Sequence, residues 1–457
     1  MKQTLFMIVL TLIGTFGSFI EPFLGVAIYY LFAVLRPQYI WVWALPPEAR
    51  WSMYVAVGTL AGMVMNSGRQ PVAPAGSGTA PNGTQSARWF GPCHWAMLLF
   101  AGWVVLTYFT AQNRDAAWPW FNVYLKLFLM FFVSALLIRT LRHVWILMIV
   151  SALALGYIAY EVNFLYLSSG YMGIYFNGYG GMDNNGAGLM LAIGIPMCIF
   201  VYMGTRRWWR WVFAAFVPVL LHAVLMTYSR GAMVALLVAT PVVFLRGRNK
   251  FQLFLAAVAI TAVVPILAGP GIRARFFTIN TYEDESSARL RFASWEAAYR
   301  MSLDYPILGV GVRNANLFSA QYGADMVGRT IHSQFLQVLA DNGYPGLLFY
   351  VSTLVTAAIS LRRVRRWSRD RDDEDGRIAY AVACGIESGL AVFCVGSLFL
   401  SLEVFELPYV LLLLGAQLPL VLEAQGIMGA AQAAAPPRPG QAPAQRFNAA
   451  GARAGLS

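Results

Sequence analysis

Charged side chains are scarce in this chain, since Asp, Glu, Lys and Arg make up 12% of its 457 residues. Hydrophobic residues make up 58%, and the mean hydropathy is +0.58. The core of a soluble domain cannot bury so large an apolar share, so a soluble globular fold is excluded. The composition predicts a polytopic membrane protein.

Regular alternation of polar and apolar residues is also lacking, although a transmembrane barrel requires it in segments of about ten residues. The apolar runs are continuous over roughly 16–20 residues, which is the length that a helix needs to cross a bilayer. The predicted fold class is therefore an all-α polytopic membrane protein.

Cysteine is rare, and the four cysteines lie in or beside apolar runs without the spacing of metal ligands: Cys93, Cys198, Cys384 and Cys394. They indicate small buried residues rather than a disulfide framework or a zinc site. The motifs G-x-S-x-G, G-x-x-x-x-G-K-[ST], H-E-x-x-H and C-x-x-C are absent as well. Common hydrolase, nucleotidase and zinc chemistry is thus unsupported, and we expect neither a metal nor another cofactor.

The apolar runs and the segments between them divide the chain into six parts. We predict N-terminal membrane segments at 1–66, a flexible cytoplasmic linker at 67–92, central membrane helices at 93–269, a periplasmic loop with amphipathic helices at 270–343, C-terminal membrane helices at 344–425 and a disordered cytoplasmic tail at 426–457. Glu21-Pro22 and Gly25 interrupt residues 4–35, which we interpret as one broken crossing. The total is then about twelve transmembrane helices.

The formal net charge of +12 is concentrated in loops rich in arginine, at 139–142, 206–210, 246–250 and 362–377. Short loops of this kind stay on the cytoplasmic side of the inner membrane, so the charge predicts orientation and no nucleic-acid partner. Every second loop is basic. We therefore expect the 270–332 loop to face the periplasm or the cell exterior, and both termini to face the cytoplasm.

The periplasmic loop is the longest polar stretch between apolar runs, and we expect the chemistry there. From Ser287 to Leu303 the spacing predicts a helix on which Arg289, Glu296 and Arg300 share one face. Such a face is typical of a solvated surface helix with a Glu-Arg pair four residues apart. Arg291 lies at the edge of another, aromatic face, where a guanidinium needs an anion to meet it.

Two further residues are candidates for the same site. Arg230 separates two apolar spans at the end where positive charge is disfavoured, so it either binds an anion or snorkels to the interface. His332 opens a predicted short helix that stops at Asn342-Gly343 and Pro345. A helix N-terminus disfavours the imidazolium and would leave His332 neutral and able to accept a proton; the alternative is a capping or packing role.

The order of several short motifs resembles the O-antigen ligase and polymerase superfamily. These motifs are Ser229-Arg230-Gly231-Ala232, Thr281 to Ala288 leading to Arg291 and Trp295, Pro306-x-Leu308-Gly309-x-Gly311, His332, and Asn342-Gly343-x-x-Gly346. Three more look like the O-glycosylation ligases associated with exosortase systems: Glu21-Pro22-Phe23-x-Gly25, Arg36-Pro37 and Asp183-Asn184-Asn185. The resemblance covers nearly the whole chain except the linker and the tail.

The resemblance implies a GT-C-like glycosyltransferase of the bacterial inner membrane, working on the periplasmic side without metal or nucleotide sugar. Its donor would be a glycan on undecaprenyl diphosphate, and its acceptor a hydroxyl of the lipid A core, as in lipopolysaccharide biosynthesis, or of a protein Ser or Thr. It also implies that His332, Arg230 and Arg291 are catalytic. Arg289 stands where the resemblance expects an uncharged residue, which leaves open which arginine of this helix meets the phosphate. We predict Arg230, Arg291 and Arg289 as the residues that bind the diphosphate.

Other functions remain open from the residues alone. A polymerase would use the same donor but a lipid-linked acceptor. A polysaccharide or lipid transporter would also have about twelve spans, though repeated halves or paired broken helices are typical of it and neither is evident. A membrane scaffold without catalysis would not need Arg230, Arg291 or His332. Asp370-Arg371-Asp372 matches the D-x-D pattern of nucleotide-sugar enzymes, but its mixed-charge surroundings favour a solvated loop.

Overall fold

The computed structural model describes residues 2–46, 48–67, 90–247, 282–402 and 405–429, together with residues 250, 251, 254 and 258. Side chains in the fourth range are described from Arg289 onward. Regular structure in these ranges is helical, apart from one isolated β-bridge between Tyr179 and Met182. Most of residues 251–269 at the end of the predicted central membrane helices, most of the 67–92 linker and most of the tail lie outside the described residues.

In chain order the helices are α1 (Lys2–Gly17), α2 (Pro22–Leu35), α3 (Pro37–Ile40), α4 (Trp51–Met65), α5 (Pro92–Phe109), α6 (Arg114–Leu137), α7 (Leu141–Ser169), α8 (Gly173–Asn177), α9 (Asn184–Gly204), α10 (Arg210–Met226), α11 (Arg230–Arg246), α12 (Tyr282–Asp304), α13 (Asn314–Phe318), α14 (Gln334–Ser368), α15 (Glu374–Gly396) and α16 (Glu406–Ala424). Many begin at a side chain that accepts a hydrogen bond from the first turn: Asn113, Thr140, Asp183, Ser229 and Asp373. Such N-caps satisfy backbone donors that a helix start leaves unpaired.

Eight helices in the described ranges are long and apolar enough to cross a membrane. They are Pro22–Ile40 (α2 with α3), α5, α6, α7, α9, α14, α15 and α16. Three shorter apolar helices, α1, α4 and α10, accompany them. The prediction of an all-α polytopic membrane protein is confirmed.

The first two helices form an antiparallel hairpin. Gly14 of α1 lies against Ile28 of α2, and Gly17 lies against Leu24, so the helices run in opposite directions from the turn between them. The start of α1 returns to the end of α2, where Thr4 donates a hydrogen bond to a backbone carbonyl beyond α3. The interpretation of residues 4–35 as one broken crossing is therefore wrong, because Pro22 begins a new helix instead of kinking one.

Four arginine-rich segments meet at one end of the bundle, named here the arginine-rich end. Arg377 donates to the carbonyl of Gly204 at 3.1 Å. Glu387 of α15 forms ion pairs with both Arg246, at 2.9 Å, and Arg365, at 2.8 Å. The 139–142 segment joins them, because the backbone N–H of Leu141 donates to the Gln425 side chain that follows α16 (2.8 Å).

The distal end of the bundle is the opposite one, where α2 finishes and α9, α11 and α16 begin. Arg36 at the end of α2 forms an ion pair with Glu406 at the start of α16 and also donates to the carbonyl of Gly180. The hairpin brings the start of α1 to this distal end. We expected both termini on the side of the arginine-rich loops, and for the start of α1 that expectation is wrong.

Helix α14 is broken at Gly343, whose φ of 69° and ψ of −176° are not helical. Pro345, which has no backbone N–H, cannot restore the hydrogen bond to Asp341 across the break. The predicted stop at Asn342-Gly343 and Pro345 is confirmed, although the short helix starts at Gln334 and not at His332.

The carbonyls that this break frees are bonded by other segments. Those of Ala340 and Asp341 accept from the N–H groups of Val310 and Gly311, both at 2.9 Å. The carbonyl of Asn342 accepts from the Trp103 indole at 2.8 Å. Irregular backbone at membrane depth is stable only when its polar groups are paired in this way.

Gly343 is expected to tolerate no side chain. Its φ favours glycine, and a Cβ there would come within 2.2 Å of the carbonyl oxygen of Ile307. Gly343→Ala should lower stability by about 1–3 kcal/mol or more, measured as the thermal unfolding midpoint in detergent. The control is Gly102→Ala in α5, where a Cβ meets nothing within 4 Å; equal midpoints for the two variants would contradict the expectation.

Candidate functional site at the distal end

The starts of α9 and α11 are joined side by side. The side chain of Asn184 donates to the carbonyl of Thr227 at 2.9 Å, just before α11. Ser229 caps α11 by accepting from the N–H of Ala232 at 3.3 Å, and Arg230 is the first residue of that helix. The local sequence folds this way because Asn and Ser side chains bond backbone groups at helix starts.

The start of α14 joins the same group. The N–H of Gln334 donates to the carbonyl of Ser397 at 2.8 Å, and its side chain accepts from the N–H of Leu402 at 2.6 Å. Leu402 in turn packs against Gly186 in the first turn of α9. The N-termini of α9, α11 and α14 therefore lie together at this end of the bundle. Each carries a partial positive charge, an arrangement that favours an anion.

Helix α12 brings Arg291 and Trp295 to this group. The indole N–H of Trp295 donates to the carbonyl of His332 at 3.3 Å. The Trp295 ring lies 6.3 Å from that of Phe399, which also packs against Gly231, the second residue of α11. One aromatic contact thus links the helix that carries Arg291 to the helix that carries Arg230.

Arg291 is half-buried and lies within electrostatic reach of Arg230 and Asp183. Burial lowers the pKa of the Arg291 guanidinium, and the like charge of Arg230 lowers it further, whereas the Asp183 carboxylate raises it. Arg230 is exposed at the start of α11. Two guanidinium groups held together in this way are arranged to meet an anion with more than one negative charge.

His332 adopts a left-handed backbone conformation with φ of 55°, two residues before α14 begins. Burial lowers the pKa of its imidazole, and Arg291 lowers it further. The Asp183 carboxylate raises the pKa of His332, and Arg329 lowers it by a smaller amount. The expectation of a neutral imidazole rests on the helix N-terminus; in the structure, burial and the charge of Arg291 also favour the neutral form.

Arg289 lies on another side of α12 from Arg291, and its expected part in binding the diphosphate stays a prediction. It is exposed, and on α12 it shares a face with Glu296 and Arg300. The last two form an ion pair at 2.9 Å with side chains 57% and 59% exposed. The solvated face predicted from the spacing is therefore present, and Arg289 belongs to it.

Asp183 is the residue of this site to which sequence reasoning gave no role. Its Oδ1 accepts from the N–H of Gly186 at 2.8 Å, which makes it the N-cap of α9. The capping role was visible in the sequence as an Asp just ahead of an apolar run. Its position beside Arg291 and His332 was not, because Asp183 precedes both residues by more than a hundred positions.

The Arg36-Pro37 motif supports the site without entering it. Besides its pairing with Glu406, the guanidinium lies 5.3 Å from the centre of the Phe405 ring. Its bond to the carbonyl of Gly180 holds the loop that precedes Asp183. An arginine whose charge is already neutralised by a carboxylate is suited to positioning rather than to binding a further anion.

The D-x-D match lies at the arginine-rich end, far from this site. Arg371 in its centre pairs with the neighbouring Asp373 at 3.0 Å. Within the described ranges, no group of three His, Cys, Asp or Glu residues could hold a metal ion. The side chains of the acidic triplet Glu283 to Glu285 lie outside those described.

The fold and this cluster define an all-α polytopic membrane protein with a cationic, partly buried site at one end of its bundle. The family model described as O-antigen ligase matches residues 219–351, a range that contains Arg230, Arg289, Arg291 and His332. The resemblance to the O-antigen ligase superfamily is thereby confirmed. No curated protein matches the chain significantly.

This match supports a coarse function. O-antigen ligases are glycosyltransferase-like enzymes, so the match supports an activity of the ligase or polymerase kind in a multi-pass membrane protein. It implies a lipid-linked glycan and an acceptor as substrates in general terms. It does not extend to Asp183 or to the motifs near Glu21 and Arg36.

We expect the imidazole of His332 to be mostly neutral at pH 6.5, where a free histidine is about half protonated. Arg291→Gln removes a like charge and should raise the pKa of His332, whereas Asp183→Asn removes an opposite charge and should lower it. Asn retains the N-cap of α9, so the second variant changes only the charge. Histidine NMR titration in detergent measures the pKa of His332 in the parent and in both variants. The signal that is missing from His332→Asn identifies this residue.

The matched control is Arg289→Gln, on the exposed face of the same helix, which should leave the titration of His332 unchanged. A midpoint for His332 above 6.5 in the unmodified protein would contradict the geometry of this cluster. So would identical shifts from Arg289→Gln and Arg291→Gln.

Proposed function

We propose that the protein transfers a glycan en bloc from undecaprenyl diphosphate to an acceptor hydroxyl on the periplasmic side of the inner membrane. The observation that carries the proposal is the grouping of Arg230, Arg291 and His332 beside the N-termini of α9, α11 and α14. This end is opposite to the arginine-rich loops, which stay in the cytoplasm.

The diphosphate is bound by Arg230 and Arg291. In the transfer, the bond between the anomeric carbon and the diphosphate oxygen breaks, and the diphosphate leaves with the electron pair. The two guanidinium groups and the N-termini of α9, α11 and α14 stabilise the negative charge that develops on that oxygen. Arginine suits this task because its planar fork donates two parallel hydrogen bonds and never loses its charge.

His332 accepts the proton of the acceptor hydroxyl as its oxygen bonds to the anomeric carbon. A base must be neutral before the reaction, and burial beside Arg291 keeps the imidazole of His332 in that form by lowering its pKa. Bound diphosphate would offset the charge of Arg291 and so raise the pKa of His332. The imidazole then becomes the stronger base only when the donor is in place.

Replacing His332 tests the base role. His332→Asn suits the left-handed backbone, which asparagine tolerates, and it removes the basic nitrogen. We expect transfer in proteoliposomes supplied with lipid-linked glycan and acceptor to fall by about 10²–10⁴-fold. Unfolding midpoints of the variant and the parent verify that the fold is retained; activity within a few-fold of the parent would show that His332 is not the base.

Replacing one arginine by lysine tests the diphosphate clamp. Arg291→Lys keeps the charge but loses the paired hydrogen bonds, and we expect transfer to fall by about tenfold or more. Arg289→Lys, two positions away on the solvated face, is the matched control and should stay near the parent. Equal activity of the two variants would count against Arg291 as a ligand of the diphosphate, and equal losses would place Arg289 in the clamp as well.

The ligase and the polymerase differ in their acceptor. A cell that lacks a ligase should accumulate polymerised glycan on its lipid carrier, whereas a cell that lacks a polymerase should accumulate single repeats. The motifs around Glu21, Arg36 and Asp183 favour the ligase, of the kind that acts on a protein Ser or Thr, over transfer to the lipid A core. Analysis of the lipid-linked pool distinguishes the two enzymes.

A further inference from the structure

Helix α12 lies across the distal end of the bundle instead of projecting from it. Near its middle, Trp295 contacts Phe399, which follows α15. Beyond its end, the carbonyl of Val310 accepts from the N–H of Gln112, which follows α5, at 3.0 Å. The segment therefore reaches from the end of one span to the end of another.

The outer side of α12 is divided lengthwise into two strips. Ala297, Ala298 and Met301 are fully buried and pack against the segment that follows α12 and the first half of α14. The interfacial strip, as we name it, consists of Phe292 (63% exposed), Tyr299 (50%), Leu303 (55%) and, just past the helix, Ile307 (62%). The charged strip beside it consists of Arg289, Glu296 and Arg300.

The interfacial strip continues onto the surface of α14. The N–H of Tyr344 donates to the carbonyl of Pro306 at 2.8 Å, so Ile307 adjoins the start of the second half of α14. From there Tyr344, Leu348, Val355 and Ile359 follow at spacings of one helix face and are 44–63% exposed. An exposed apolar face on a membrane span faces lipid.

The level of the strip follows from the length of this span. From Tyr344 to Arg362 at the arginine-rich end, the helix rises about 27 Å at 1.5 Å per residue, close to the roughly 30 Å of bilayer hydrocarbon. Tyr344 therefore lies near one boundary of the bilayer. The interfacial strip, which begins beside it and runs across the bundle end, lies at that boundary too.

We propose that α12 is a membrane-surface helix whose interfacial strip inserts into the lipid leaflet on the distal side. Apolar residues on one side and charged residues on the other are the pattern of helices that lie in the plane of a bilayer surface. The partner is the hydrocarbon of that leaflet, because the strip is continuous with the lipid-facing side of α14.

This insertion has a consequence that rests on the proposed function. Arg291 is half-buried on the side of α12 that also carries Trp295, and it directly precedes Phe292 of the interfacial strip. A lipid diphosphate in the same leaflet can then reach Arg291 sideways, while its chain stays in the bilayer. The donor needs no excursion into water.

Spin labels test the insertion without any enzyme assay. Four single-cysteine variants are each labelled with a nitroxide and placed in liposomes. Tyr299→Cys and Leu303→Cys lie on the interfacial strip, and Glu296→Cys and Arg300→Cys lie on the charged strip. The natural cysteines are buried or half-buried, so the parent protein is the labelling blank. We expect the ratio of oxygen to nickel-chelate accessibility to be higher by about twofold or more at 299 and 303 than at 296 and 300.

Equal ratios at the four positions would overturn the insertion. Labels at 299 and 303 that are shielded from both reagents would also overturn it, since they would indicate a second copy of the chain covering the strip. Positions 296 and 300 are exposed, so these substitutions leave the packed face of α12 unchanged.

A transfer assay then tests the sideways route. Tyr299→Gln with Leu303→Gln should lower transfer from a long-chain donor in liposomes by about fivefold or more, whereas Glu296→Gln with Arg300→Gln should not. Insertion with undiminished transfer in the first variant would reject the route but retain the surface helix. Absence of transfer by the parent would reject the proposed function, and the spin labels would still decide the insertion.

Discussion

The close contact between two backbones at the break in α14 is the constraint on which the distal end depends. A Cβ on Gly309 or on Gly343 would come within 2.4 Å and 2.2 Å of backbone oxygens, so the two segments approach as closely as glycine permits. That approach lets the N–H groups of Val310 and Gly311 reach the carbonyls that the break exposes. Without those bonds, a broken helix near membrane depth would carry unpaired polar groups.

The break positions the site because it changes the direction of α14. The fully buried Asp341 accepts from the N–H groups of Arg313 and Ala315 and from the side chain of Gln337, each at 2.9 Å. This network ties the short first half of α14 to the segment that follows α12. His332 at its start and Arg291 on α12 consequently approach each other from separate segments, and the charge of Arg291 lowers the pKa of His332.

The arginines at the two ends of the bundle differ in the charges that surround them. At the arginine-rich end, carboxylates such as Glu387 and Glu423 pair with arginines, so much of the positive charge there is structural. At the distal end Glu406 neutralises Arg36 in the same way. Arg291 instead lies half-buried near both the Asp183 carboxylate and the like charge of Arg230. In the proposed function a bound diphosphate supplies further negative charge to this pair of arginines.

The sequence by itself determined the helical membrane class, the separation of basic loops from the polar loop, the stop at Gly343 and the solvated face of Arg289, because each depends on composition or on spacing within one segment. It also indicated Arg230, Arg291 and His332 through a resemblance in motif order. Only the tertiary structure decided that α1 and α2 form a hairpin, that burial and Arg291 lower the pKa of His332, and that Asp183 belongs to the same cluster. Those facts depend on contacts between residues far apart in the chain, which local periodicity does not encode.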